Sequence, residues 1–186
     1  MGRDPMCPGQ ESVVSAIVRF LAILLLYGLS IEAAAAQAGN FGCTPVSAAG
    51  PAQTLRCDGG ITLIAENGAS YTLSDTNHDG RVDQAELRSK ALLIDVPKKA
   101  GGKAFQVNTP QAIAAVRGTK WAVDATADKT SVFVARGSVA VRRPAGGGPQ
   151  VVLGPGEGVD VEATGPLTVK RWAPARVAAL MARLGQ

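Results

Sequence analysis

Six residues between positions 75 and 86 could hold a hard divalent cation, because each offers an oxygen and their spacing is fixed. The segment reads Asp75-Thr-Asn-His-Asp-Gly-Arg-Val-Asp-Gln-Ala-Glu86. Asp75, Asn77 and Asp79 supply side-chain oxygens at loop positions 1, 3 and 5. Gly80 allows the sharp bend at position 6, and Arg81 offers its backbone carbonyl at position 7. Asp83 acts through water at position 9, and Glu86 closes the set as a bidentate carboxylate at position 12. Val82, the apolar residue at position 8, is expected to pack inward, and His78 at position 4 to be exposed. The cofactor this pattern calls for is Ca2+.

Ile61 to Leu73 reads as strand, so the helix that leads into a full EF-hand is missing and the segment is EF-hand-like only. The competing reading is an Asp/Asn/Gly-rich turn whose side chains cap their own backbone. A lone loop of this kind binds calcium at roughly 10⁻⁴ to 10⁻³ M, which suits a structural ion in a calcium-containing compartment.

Catalytic chemistry finds little material. His78 is the single histidine and sits inside the loop, so no Ser–His or Cys–His pair can be built elsewhere. Asp95, Asp124, Glu157 and Asp160 fall in no catalytic motif and read as solvated strand faces and turns. The expectation is a protein that is not an enzyme. Cys43 and Cys57 are expected to form a disulfide in an oxidising compartment, closing a loop of about 15 residues. Two buried free thiols are the alternative.

The compartment is read from the N-terminus. Arg3 and Arg19 are the basic residues there, and Arg19 precedes an apolar run from Phe20 to Ile31. That run is shorter than the roughly 20 residues of a membrane span. Ala36 and Ala38 then form a small-x-small cleavage pattern. A signal peptide over 1–38 is therefore expected, with an uncleaved anchor counted from Val13 as the alternative. The working protein would be periplasmic or secreted, without a transmembrane segment after cleavage. The whole chain carries a formal charge of +4. No tract clusters basic and aromatic residues, so nucleic acid is not an expected partner; a mild positive surplus suits anionic envelope surfaces.

Short apolar alternations punctuated by glycine and proline fill the remainder. Strands are expected at 54–57, 61–65, 70–73, 91–96, 105–107, 112–116, 120–124, 130–134, 138–142, 151–153 and 158–161. Turns at intervals of roughly 8–12 residues point to an all-β fold, as sandwich, barrel or solenoid. Val177, Leu180, Met181 and Leu184 lie on one face of a helix, after Pro174 and before Gly185. This helix is expected to cap an open edge of the β domain, anchored by Trp172, with docking to a partner or membrane surface as the other reading.

The block from Phe105 to Val123 contains a Thr109-Pro110 step and an Arg117-Gly118-Thr119 turn. A Thr130–Val141 hairpin and a Gly156-Glu157 turn follow. This order resembles the FecR domain, with the resemblance covering roughly Ala85 to Glu162. It implies a periplasmic module of stacked β-strands, solenoid-like or sandwich-like, which in the best-known members relays a signal from an outer-membrane transporter to a sigma factor. Fewer than 20 residues precede the apolar run, so the expectation is a stand-alone module without the anti-sigma segment. Physically, Pro110 extends Thr109 and Gly118 permits a sharp turn. Arg117 reads as a donor to backbone carbonyls, or as a ligand anchor.

The resulting division is 1–38 signal peptide, 39–74 hairpin region with the disulfide, 75–86 EF-hand-like loop, 87–170 FecR-like β domain and 171–186 C-terminal helix. The expected role is binding of a partner protein or envelope ligand in signal sensing or transport regulation. A calcium-stabilised structural envelope protein is the alternative.

Overall fold

The computed structural model describes residues 41–46, 50–98, 104–144 and 148–186; the expected signal peptide lies outside them. The described chain is all-β with one short C-terminal helix, as the alternation implies. Its pivot is a long strand, β5 (Gln84–Asp95), which belongs to both halves of a curled, half-barrel sheet. The first half of β5 pairs antiparallel with β4 (Ser70–Ser74) and parallel with β6 (Phe105–Asn108). The second half pairs antiparallel with β3 (Thr62–Glu66) and β8 (Lys120–Ala125). Lys90 stands at the junction with φ +66, and its Nζ donates to the Asn67 carbonyl. The turn in strand direction is made at that residue.

From β6 the sheet continues through β7 (Ile113–Val116) and β10 (Val139–Arg142) to β11 (Val151–Leu153). From β8 it continues through β9 (Lys129–Arg136) and β12 (Glu157–Glu162) to β13 (Lys170–Arg171). β2 (Ala52–Cys57) extends β3, and β1 (Cys43–Val46) forms the edge beyond it. Cys43 and Cys57 face each other directly across β1 and β2 and are disulfide-bonded, with S–S 2.07 Å. The free-thiol reading is thereby set aside.

Side chains of a strand alternate between its two faces, and here both faces are covered. Leu92 and Ile94 of β5 join Trp121, Val123, Val132 and Val134 in the core inside the curl. The intervening Ala91 and Leu93, with Ala122 and Phe133, face outward and pack against Trp172, Leu180 and Leu184. Leu180 and Leu184 come from the end of the chain, where α1 (Pro174–Arg183) lies with Pro174 in its first turn. The helix thus covers a sheet face rather than the open edge expected from sequence. The continuous apolar run Ala91-Leu-Leu-Ile94 is what a strand buried on both sides requires.

Three strands differ from the sequence expectation, β13 among them, a two-residue strand that no alternation marks. β1 is too short and polar to register as an alternation. β5 begins at Gln84 rather than Ala91, because its first half alternates buried Ala85 and Leu87 with exposed Glu86 and Arg88. Its first three residues, Gln84 to Glu86, are also the last three positions of the cation-loop spacing.

Candidate functional site

Three groups of polar residues carry the chemistry of this fold. In the loop before β5, each carboxylate meets donors of the loop itself. The Asp75 carboxylate accepts the N–H groups of Asp79 at 3.2 Å and Gly80 at 2.6 Å. Asn77 Oδ1 accepts the Asp79 N–H, and Asp79 Oδ1 accepts the Arg81 N–H at 3.1 Å. The Asp83 carboxylate accepts from Thr76 N, Thr76 Oγ1 and Asn77 Nδ2 at 2.7–2.9 Å. Gly80 takes φ +82, as the bend demands. Val82 is buried, as expected, and His78 is exposed. Glu86 stands apart: it lies on β5 opposite Thr72, and its carboxylate takes Arg88 at 2.9 Å. Among the described residues, no three His, Cys, Asp or Glu side chains converge as a metal centre needs. The geometry is that of a turn capping its own backbone.

The second group is the Thr109-Pro110 step with the Arg117-Gly118-Thr119 turn. Thr109 is buried, and its N–H and hydroxyl close a tight turn on the carbonyl and N–H of Ala112. A chain of bonds leads onward. The Thr109 and Thr130 hydroxyls meet at 2.7 Å, Thr130 donates to Gln111 Oε1 at 3.0 Å, and Gln111 Nε2 donates to the Ala127 carbonyl at 2.9 Å. This network ties the turn before β7 to the β8–β9 hairpin. Thr119 does the corresponding work at the other end of β8. Its fully buried hydroxyl donates to the Ser138 carbonyl at 3.0 Å and accepts the Ser138 N–H at 3.3 Å. Gly118 is needed for two reasons: φ is +67, and a Cβ there would lie 2.8 Å from Lys98 Cγ and 3.0 Å from Lys98 Cα. Arg117 is exposed, and its guanidinium donates to no described residue. The donor role expected of it falls instead to Thr119. This motif is scaffold.

The third group, on the outer face under α1, centres on Trp172, expected as the anchor of the helix, but its polar partners were not singled out in the sequence. Trp172 stacks on Phe133 with ring centroids 5.2 Å apart, and the Arg176 guanidinium lies 3.6 Å above the Trp172 ring. Arg176 Nη1 donates to Asp160 Oδ2 at 3.0 Å, and Ser131 Oγ donates to Asp160 Oδ1 at 2.6 Å. Partial burial alone would raise the Asp160 carboxyl; the hydrogen bonds from Arg176 and Ser131 outweigh it and hold the group below its ordinary value. Two helix turns further on, Arg183 forks between Asp124 at 2.7 Å and Glu66 at 2.6 Å. Hydrogen bonds to those two carboxylates raise its already high value further. Asp124 and Asp160, read as solvated, are therefore partners of the helix. The available signal was two arginines seven residues apart, off the apolar face, with acids at outward strand positions. Beside them lies a polar recess of 270 Å³ between β12 and residues 163–169.

Comparison with known proteins adds the following. The profile described as FecR protein matches residues 46–140. No curated protein matches the chain. Two crystal structures from Parabacteroides distasonis, each described as "a putative anti-sigma factor", share the fold at 22% identity, with TM-scores of 0.56 and 0.57. The similarity covers 74% and 75% of this chain, and the chain spans 64% of the length of those proteins.

Proposed function

Because the chain belongs to the FecR protein family over residues 46–140, we propose that it is a non-enzymatic, exported β module that binds a partner protein in signal sensing or transport regulation. The observation that carries this reading is the family's Thr-Pro and Arg-Gly-Thr turns, both used up in holding strands together. With both sheet faces covered, the polar recess beside β12 and the exposed residues around it remain to serve recognition. Export is supported by the Phe20–Ile31 run followed by Ala36 and Ala38. No described helix is long and apolar enough to cross a membrane. The likeness to structures described as anti-sigma factors supports a protein partner rather than nucleic acid.

Capture from envelope extract with the full chain as bait, paired with transcription of the neighbouring genes in a deletion strain, tests the reading. A defined protein partner and a transcriptional change are expected. Unchanged transcription with capture of polysaccharide alone would replace a protein partner by an envelope ligand.

Calcium belongs to a second reading, a structurally stabilised envelope protein. Its support is that Val82 and Asp75 root the loop in the core, so an ion on Asp75, Asn77, Asp79 and Asp83 would brace the fold. Glu86, paired with Arg88, would have to leave that partner to join it.

A further inference from the structure

β12 pairs with β9 from Gly158 to Glu162, but on its other side only Glu157 and Gly158 are paired, with Arg171 and Lys170. The Trp172 N–H donates to the Gly156 carbonyl at 3.1 Å. In an antiparallel ladder the backbone groups of alternate residues point the same way. Gly158, Asp160 and Glu162 therefore direct their N–H and C=O groups to this side. Continuing the register would set Thr168 opposite Asp160. Residues 163–169 instead leave the ladder, and no backbone bond joins them to Asp160 among the described residues. The recess of 270 Å³ fills the space so opened, lined by Asp160, Glu162, Thr168, Lys170, Trp172 and Arg176.

The ends and the charge of the recess define what fits. At one end stands the Gly158–Lys170 pair. At the other, Arg143 donates to the carbonyls of Glu162, Thr164 and Gly165 at 2.7–3.1 Å. Between Gly158 and Glu162 the strand runs about 13 Å at 3.3 Å per residue, the length of a short extended segment. Arg176 neutralises Asp160. Lys170 and Arg171 are exposed, and Lys129 faces Glu162 across β9. With Asp160 held by Arg176 and Glu162 opposite Lys129, Lys170 is the lining charge left to meet a ligand. A sugar finds no stacking surface, since Phe133 and Arg176 take up the faces of Trp172.

We propose that the recess seats an extended, acidic segment of the partner protein, which pairs its backbone with Asp160 as an added strand and sets a carboxylate against Lys170. Main-chain bonds would supply affinity and the side-chain contact would supply selectivity. The proposal rests on the partner-binding reading above and gives that reading a place and a chemistry.

The test uses the full chain and a labelled hexapeptide alternating valine and glutamate. Two controls accompany it: the lysine counterpart, and the glutamate peptide N-methylated at alternate amides. The acidic peptide should bind, perturb the Asp160 amide resonance and slow its hydrogen exchange. N-methylation and Lys170→Glu should each weaken binding about tenfold, the size of one ion pair or ladder contact near 1.4 kcal/mol. Lys170→Arg should restore it. Equal binding of the lysine peptide, indifference to N-methylation, or a silent Asp160 amide would overturn the proposal. Absent peptide binding also overturns it; if a partner protein is still captured, partner binding stands and only its location is wrong.

Discussion

Thr109 and Thr130 hold buried hydroxyls that bond each other, the first also bonding Ala112 and the second Gln111. Thr130→Val keeps the shape and removes the link, leaving Gln111 Oε1 and the Thr109 hydroxyl short of a partner. It should cost about 1–3 kcal/mol in urea unfolding. Thr109→Val should cost a similar amount, and the double variant should cost measurably less than the two together, because they share one network. Additive costs would show that the network is not coupled. The loop before β5 makes a second prediction at this scale. If an ion seats there, 10 mM Ca2+ should stabilise the protein by about 1 kcal/mol at millimolar affinity; Asp75→Ala should abolish the gain. Equal behaviour of wild type and variant leaves the capped turn as the whole role of these residues. The Thr-Pro step and the cation spacing were legible because they are local. Gln111 and Thr130 were not, since their meeting is set by how β7 and the β8–β9 hairpin stack.

At the scale of the element, α1 is held by an apolar seam flanked by Arg176 and Arg183. Asp160 makes that attachment sensitive to acid. A carboxyl held below its ordinary value stabilises the fold above the unfolded value of about 4, and the contribution disappears as pH falls through the lower folded value. Wild type should therefore exceed Asp160→Asn in stability at pH 7, and the two should converge in melts near pH 2. A constant gap across that range would show that the carboxylate charge contributes nothing. Arg183→Gln, which abandons both Asp124 and Glu66, should cost about 1 kcal/mol, modest because the guanidinium is partly exposed. Periodicity revealed this helix and its apolar side directly. Its seat on a face instead of an edge was legible only in part: Ala91-Leu-Leu-Ile94 announces burial on both sides, but nothing local says which element supplies the second cover.

The whole molecule is knitted by β5, which contributes hydrogen bonds to both halves of the sheet. Denaturation of the described domain should accordingly follow one transition by fluorescence and by circular dichroism alike; separated midpoints would mean that the halves unfold alone. The Cys43–Cys57 bridge adds to that single equilibrium. Its reduction, or the paired change to serine, should lower stability by about 3 kcal/mol, read from urea midpoints with and without dithiothreitol. The all-β character was plain from alternation, whereas the curl was not. It turns on Lys90 adopting a positive φ, which a lysine does only where surrounding structure compels it. The bond from Arg183 to Glu66 closes 117 positions of sequence. It also orders events in time: while the chain is being made, or threaded through any pore, Leu93 and Phe133 lack the cover of Leu180 and Leu184 until that helix emerges. A chain cut short before Pro174 would thus carry a sticky, strand-rich surface, prone to aggregate where the chain that includes α1 is not.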